Sequence, residues 1–590
     1  MNANDTYTSP LATRNASPEM LRLWSPRHKF NTWRRIWLAV AESQYEVTKD
    51  WSSERARSAS ECSSPQRAPT VREGSGPSGE EPHPHGRGPS GQSATGSSRS
   101  GPLVTKEQVE ELRAVVERGI TDEEIARAAE LERDLRHDVM SHVHCLGEQC
   151  PKARAIIHLG CTSQDVVCNA DLIVIQQALD LTESKLGRCV AAIGITADRW
   201  KNVPTLGFTH YQAAQPTTVG RRVAQWAHDL SLHAVGDRLL TGNSCMSMYR
   251  GLRGATGTQA SFLALFNNRP ELVDEFEWRF LRRMQRLQKE EITRIDDEDE
   301  EFHDWQPRSR EECGRPIEQL ERLVGPQGGR VFLLSGQTYP RVLDAQTLSD
   351  LASVASVLHK IATDIRLLSN RKEIDEPFGR NQIGSSAMPY KRNPMKCERI
   401  CGLSRFVMNL AGNAYDTAAT QWLERTLDDS SNRRLSLPEA FLALDGAIDL
   451  MREVAGGLVV HEAMVRRNLM AELPFLATEN ILMEAVKAGA DRQEYHEIIR
   501  QHAQAAGMRV KQQGLDNDLL DRLQNDRAFW SKARGGALSH ELDWSDLMDP
   551  MKYVGRSVEQ TERFLKAVVE PLRERYADQL DQLGSSDRGV

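Results

Sequence analysis

No apolar run in this chain approaches the roughly 20 residues that a membrane span requires. Its first residues, MNANDTYTSPLATRNASPEM, lack a charged stretch followed by an apolar core, so no secretory signal is expected. Cysteine is sparse, with ten scattered residues in a chain of 590. That argues against a disulfide-built scaffold and fits free thiols in a reducing cytoplasm. Only Cys397 and Cys401 are spaced for one helix face, and no His/Cys pair accompanies them, so no metal site is expected. An excess of positive charge is also missing: the net charge is −8, which gives no electrostatic reason for a nucleic-acid partner. Strand-like alternation is scarce.

What is present is length and helical periodicity. A chain of 590 residues is long for one core and suggests two or three domains. Leu348, Leu351, Val354, Ala355, Leu358, Ile361, Ala362, Ile365 and Leu368 recur at three-to-four spacing, and Asp171 to Trp200 and Thr217 to Leu239 show similar long patterns. Ser436-Leu-Pro-Glu439 reads as a capping box opening another helix, with Pro438 in its first turn. Helices this long pack as bundles, and apolar stripes on more than one face suggest partner helices from other subunits. The expected class is all-α.

Two segments interrupt these patterns. More than half of Trp51 to Pro102 is Ser, Gly and Pro, with Val71 its only branched aliphatic residue. It is expected to be disordered, with His83 and His85 solvated rather than ligating. About Pro270 to Arg315, an aromatic and basic start (Trp278, Phe280, Arg282, Arg283, Arg286) leads into the acidic run Asp296 to Glu301. Such a charge run reads as a solvated face or a flexible tail.

Gly384 to Pro394 reads GSSAMPYKRNP. Gly384, Pro389 and Pro394 do not fit one helix, so this is a polar, cationic loop displayed between long helices. Elsewhere His210 lies in TLGFTHYQAAQPTTVG, where it is expected among polar groups at the start of a helix; Arg136-His137-Asp138 follows a helical segment; and HLGCTSQD carries Thr162 and Ser163. Imidazole titrates near neutral pH and suits protonation of a leaving amine, while a neighbouring carboxylate such as Asp138 favours its protonated form. Arg425, Ser430 and Arg434 in ERTLDDSSNRR could grip a phosphate or carboxylate through bidentate bonds.

The loop, with its Tyr390-Lys391-Arg392-Asn393-Pro394 ending, resembles the signature of the fumarase/aspartase superfamily, and the likeness runs from about Ser9 to about Leu572. In form it is most similar to the branch that releases fumarate from succinylated purine nucleotides. The resemblance implies a three-domain subunit: 1–162, then 163–460 with the signature loop at 384–394, then 461–590. It counts 51–102 and about 270–315 as insertions. It also implies a homotetramer whose central helices join one core bundle and whose active sites draw on several subunits. No metal or organic cofactor is implied.

The resemblance also distributes roles. Ser385 matches the catalytic base and His210 the general acid, with His137 close to it. Lys391 would support the Ser385 alkoxide or the carboxylate being enolised, and Asn393 would donate to that carboxylate. Substrate contacts fall on Arg14, Asn15, Arg136, His137, Asp138, Thr162, Ser163, Thr209, Gln337, Arg399, Arg425, Ser430 and Arg434. The chain departs from the pattern at Asn15, where tyrosine is usual, at Ala213, and at Pro340. Another fumarate-releasing lyase of the superfamily, acting on argininosuccinate, malate or aspartate, is an alternative, disfavoured by the phosphate-type arginine cluster. A non-catalytic or misspliced relative is a second.

Overall fold

The computed structural model describes residues 5–61, 103–233, 248–292, 331–531 and 543–577. In chain order the principal elements are α1 Pro18–Leu23, α2 Pro26–Glu61, α3 Lys106–Arg118, α4 Asp122–Leu135, α5 Asp138–Gln149 and α6 Ser163–Arg199. A hairpin of β1 Pro204–Thr209 and β2 Gln212–Thr218 follows, then α7 Val219–Ser231, α8 Ala260–Leu265 and α9 Pro270–Ile292. The second half holds α10 Val342–Asn370, β3 Ile374–Asp375, α11 Met395–Ala419, α12 Asp428–Gly456, β4 Val459–Val460 and α13 Glu462–Leu476, with shorter helices beyond. The all-α expectation is met, with two short two-stranded sheets added among the described residues. The chain divides into two compact units, 26–173 with 248–339, and 1–25 with 174–247 and 340–590.

The unit of 26–173 and 248–339 is built on α2. Its Trp33, Ile36, Trp37 and Val40 form one core with Val109, Leu112 and Val116 of α3 and with Phe276 and Phe280 of α9. Capping boxes start α3 and α4: Thr105 with Gln108, and Thr121 with Glu124. Glu124 then serves twice, because it also takes the buried Arg34 at 2.9 Å and Arg118 at 2.5 Å. Burial alone would raise its carboxyl, but bonds from Arg118, the Thr121 backbone and Arg34 pull it down to about 2.

Two segment expectations change here. Helix α2 runs on to Glu61, into the stretch expected to be disordered. A helix already formed extends at one hydrogen bond per residue, and Glu54, Arg55, Ala56 and Arg57 favour it. Residues 62–102, with His83 and His85, lie outside the described residues. Pro270–Ile292 is a packed helix rather than the start of a flexible insertion. Its Val273, Phe276, Phe280, Leu281 and Met284 are buried at helical spacing. Two of its arginines zip onto α2: Arg279 meets Glu46 and Asp50 at 3.1 and 2.9 Å, and Arg283 meets Glu42 and Glu46 at 2.9 and 2.5 Å. The acidic run 296–301 lies outside the described residues.

Two histidines make this unit acid-sensitive. His142 lies against Phe30, ring centroids 3.8 Å apart, and His158 Nδ1 accepts from the Trp37 indole at 3.0 Å. Burial pushes both down to about 4 from 6.5, and Arg34 and Lys29 add repulsion at His142. Between those values the unfolded chain binds the extra protons, so stability rises with pH across the window and is lost as pH falls from about 6.5 to about 4. Each group contributes up to about 3 kcal/mol. Urea midpoints should therefore drop over that window, and His142→Gln should flatten the drop; a midpoint independent of pH there would contradict the burial argument.

In the other unit the long helices α10, α11 and α12 pack on one another, and the α10 stripe from Leu348 to Leu368 is buried as its spacing predicts. Helix α12 begins at Asp428, not at the capping box expected near Ser436. Ser436 Oγ instead donates back to Asn432 O at 3.0 Å, and Pro438 sits inside the helix. The turns before it are locked by buried ion pairs, Arg341 to Asp429 and Arg433 to Asp344 at 2.7 and 2.6 Å, so the bond lost at the proline is tolerated. Val342, Leu367, Phe406, Tyr415 and Leu435 leave apolar surface exposed on these helices, and Trp422 and Leu423 between α11 and α12 are 74% and 97% exposed.

Candidate active site

His210 is carried by a hairpin rather than by a helix start. Thr209 pairs with Gln212, so His210 and Tyr211 alone close the turn. Their φ angles are 53° and 57°, the left-handed pair of a type I′ turn. Such turns favour Asn-Gly, and each bulky L-residue there costs on the order of 1–2 kcal/mol. Helix α7 begins later, capped by Thr218. The hairpin is seated through Phe208, whose ring has the Arg371 guanidinium at 4.7 Å and the Tyr211 ring at 5.8 Å. Thr209, His210 and Tyr211 are thereby exposed together at its tip. Tight backbone approach fixes the arm, since a Cβ at Gly207 would lie 2.3 Å from Gln215 O.

The loop of 384–394 is displayed between α10 and α11, as its glycine and prolines predict, and it is closed on itself. A Cβ at Gly384 would meet Lys391 O at 2.2 Å, so only glycine permits the closure. Asn393 Nδ2 donates to Gly384 O at 2.9 Å, which spends on the loop one of the hydrogens expected for a substrate carboxylate. Ser385 Oγ accepts from Met388 N at 3.2 Å. That bond leaves its hydroxyl hydrogen unused and places one backbone donor where an alkoxide would form. Lys391 is exposed, and no ion pair of its side chain occurs among the described residues.

A third group forms around the N-terminal segment in the same unit. Leu11–Asn15 is a wide helical turn. Arg399 on α11 donates through Nε to Asn15 Oδ1 at 2.9 Å and through Nη2 to Arg14 O. Arg14, Asn15 and Arg399 line a cleft with Asp449 and Glu453 of α12. Arg434 is exposed on the first turns of α12, Ser430 is half-buried, and Arg425 lies 3.8 Å from Asp429. Arg433, the neighbour of Arg434, is buried against Asp344.

The remaining candidates lie in the unit of 26–173 and 248–339. Arg136, at φ 53°, ends α4, and His137 caps α5 by accepting from Met140 N at 3.3 Å. Because Nδ1 is the acceptor, Nε2 of the neutral ring carries the proton toward Ser163 Oγ, 3.4 Å away. Asp138 Oδ1 accepts from Val139 N and stands 3.8 Å from the ring. Gln337 Nε2 donates to Ala255 O at 3.0 Å.

Asp165, not among the candidates read from sequence, organises this group. One oxygen accepts from Thr162 N at 2.8 Å; the other accepts from Arg250 at 2.5 Å, Arg253 N at 2.8 Å and Gly254 N at 3.1 Å. Arg250 also donates to Gly336 O at 3.0 Å, beside Gln337. Glu277 of α9 holds Leu252 N at 3.0 Å and Arg253 at 2.8 Å. The available signal was Asp165 standing three residues after Thr162, the spacing of a cap. Among the described residues no group of His, Cys, Asp and Glu is arranged to hold a metal.

Comparison with known proteins adds to this geometry. The family model described as adenylosuccinate lyase C-terminus matches residues 474–564, and that described as lyase matches 103–247 and 337–409. Adenylosuccinate lyase of Schizosaccharomyces pombe is 40% identical over 95% of this chain and 94% of its own. That of Saccharomyces cerevisiae is 38% identical over the same shares, and that of Schistosoma mansoni 36% identical over 98% of each. Among solved structures, 3-carboxy-cis,cis-muconate lactonizing enzyme from Pseudomonas putida superposes with a TM-score of 0.65 over 96% of this chain and 99% of its own, at 19% identity. Fumarate lyase from Mesorhizobium does so with a TM-score of 0.64 over 95% and 100%, also at 19% identity. These last two show the fold.

Proposed function

The chain belongs to the adenylosuccinate lyases, within the fumarase/aspartase superfamily, and from that premise we propose that it cleaves adenylosuccinate to AMP and fumarate and succinylaminoimidazole carboxamide ribotide to its amide and fumarate. Ser385, as alkoxide, takes the proton from the carbon beside one succinyl carboxylate. The electron pair moves into that carboxylate, the C–N bond breaks, and His210 gives its proton to the departing nitrogen. Lys391 stabilises the negative charge at Ser385 or at the enolised carboxylate, and Asn393 contributes its remaining amide hydrogen there. Thr162, Ser163, Thr209 and Gln337 hold the succinyl group. Arg136, His137 and Asp138 bind the substrate. Arg14, Arg399, Arg425, Ser430 and Arg434 take the phosphate and carboxylates. No metal or cofactor is needed for these steps.

The observation that carries the reading is the loop of 384–394, which holds Ser385 over a backbone donor and leaves Lys391 exposed beside it. Apolar residues exposed on α10, α11 and α12 support a homotetramer joined through these helices, with 1–162, 163–460 and 461–590 as its subunit domains and sites shared between subunits. Free thiols support a cytoplasmic setting. The test is incubation with adenylosuccinate, following loss of its ultraviolet absorbance and release of fumarate. A folded tetramer that leaves adenylosuccinate intact would overturn the reading, and a screen of argininosuccinate, malate and aspartate would then find the true substrate.

A further inference from the structure

We propose that Asn15 is a positioning residue: it does not touch the nucleotide but fixes the Arg399 guanidinium that does. The inference rests on the reading of Arg399 as a phosphate contact. Asn15 is 9% exposed, and both ends of its amide are engaged, Nδ2 donating to Pro10 O at 2.8 Å and Oδ1 accepting from Arg399 Nε at 2.9 Å. Although Asn15 helps to line the cleft, both ends of its amide are already engaged, one of them by Arg399 itself. Arg399 Nη2 donates to the adjacent Arg14 carbonyl, so two parallel bonds along one edge fix the plane of the guanidinium.

The turn that supplies both acceptors is itself clamped to α12. Ser17 N and Oγ donate to Asp445 at 2.6 and 3.1 Å, and the buried Lys185 pairs with Asp445 at 2.5 Å and with Asp449 at 2.9 Å. Next to Asp445, Gly446 lets the turn lie against the helix, because a Cβ there would meet Asn15 O at 2.6 Å. Asn15, at the position where the resemblance leads one to expect tyrosine, thus serves as a strut for a guanidinium.

The full-length chain and its variants test this by steady-state kinetics. Asn15→Ala should raise KM for adenylosuccinate about tenfold and weaken inhibition by inorganic phosphate to a similar degree, as expected for one lost bond to a charged group. It should leave kcat within about twofold and leave fumarate inhibition unchanged, because fumarate carries no phosphate. Asn15→Gln, which keeps both an amide donor for Pro10 O and an acceptor for Arg399 without adding charge, should return KM toward the wild-type value, and it serves equally should Asn15→Ala not fold. Unchanged KM and phosphate inhibition in Asn15→Ala, equal loss of phosphate and fumarate inhibition, or a KM raised about tenfold in Asn15→Gln each overturns the inference while the parent reading stands. A wild-type chain that releases no fumarate overturns both.

Discussion

Ser385→Ala should lower the rate of fumarate release by about a thousandfold or more while the protein stays folded. Removal of a positioned general base costs between about 10² and 10⁴, and this base also depends on its setting. The substitution deletes the proton acceptor and leaves the Met388 N–H without its partner. The loop should survive, because its closure depends on Gly384 against Lys391 and on the Asn393 bond to Gly384 O. AMP binding by calorimetry should be near wild type, which separates lost chemistry from lost structure. Ser386, exposed beside it, is the control: Ser386→Ala should turn over normally. Normal turnover in Ser385→Ala would remove the residue from the mechanism.

His210→Asn should fall by a comparable factor, between about 10² and 10⁴, and yet be the more stable protein. His210 holds the first position of a turn with φ positive at both residues, where asparagine is favoured. Relief of that conformation should raise stability by up to about 1 kcal/mol, visible as a higher melting temperature. The same substitution removes the imidazole proton donor. Opposite signs in stability and activity are the mark of strain kept for function. Free imidazole added to the variant should recover part of the rate. A variant both less stable and fully active would refute the role of the turn and of the ring together.

Helical content was legible because α10 to α12 bury their residues at regular local spacing, and the loop of 384–394 because glycine and proline cannot continue a helix. Three features were not legible, each for a stated reason. The hairpin lacks the Asn-Gly that announces a type I′ turn, so His-Tyr gave no sign of it. The helix of Pro270–Ile292 is rich in charge, and its arginines are explained only by the carboxylates of α2 facing them. Ser436 to Glu439 met every local rule for a helix start, but the buried pairs of Arg341 and Arg433 had already begun the helix at Asp428. Among site residues, local sequence identified candidates one at a time. The Arg399 bond to Asn15 joins residues 384 positions apart, a distance no spacing rule spans.

The Asp165 carboxylate has a consequence for the order in which the chain folds. It holds Thr162 N beside it and reaches Arg250, which is 85 residues from Asp165 along the chain. Closing a loop of that length costs about 4 kcal/mol of chain entropy before any contact is gained. On that ground the knot of Asp165, Arg250, Arg253 and Gly254 is expected to form after the rate-limiting barrier rather than before it. Asp165→Asn leaves the fully buried Arg250 without its counter-charge, and its effect should fall on the escape from the native state. In chevron plots the unfolding limb should rise by about a hundredfold while the refolding limb scarcely moves. That result would make the carboxylate a latch that closes last and sets how long the native structure lasts.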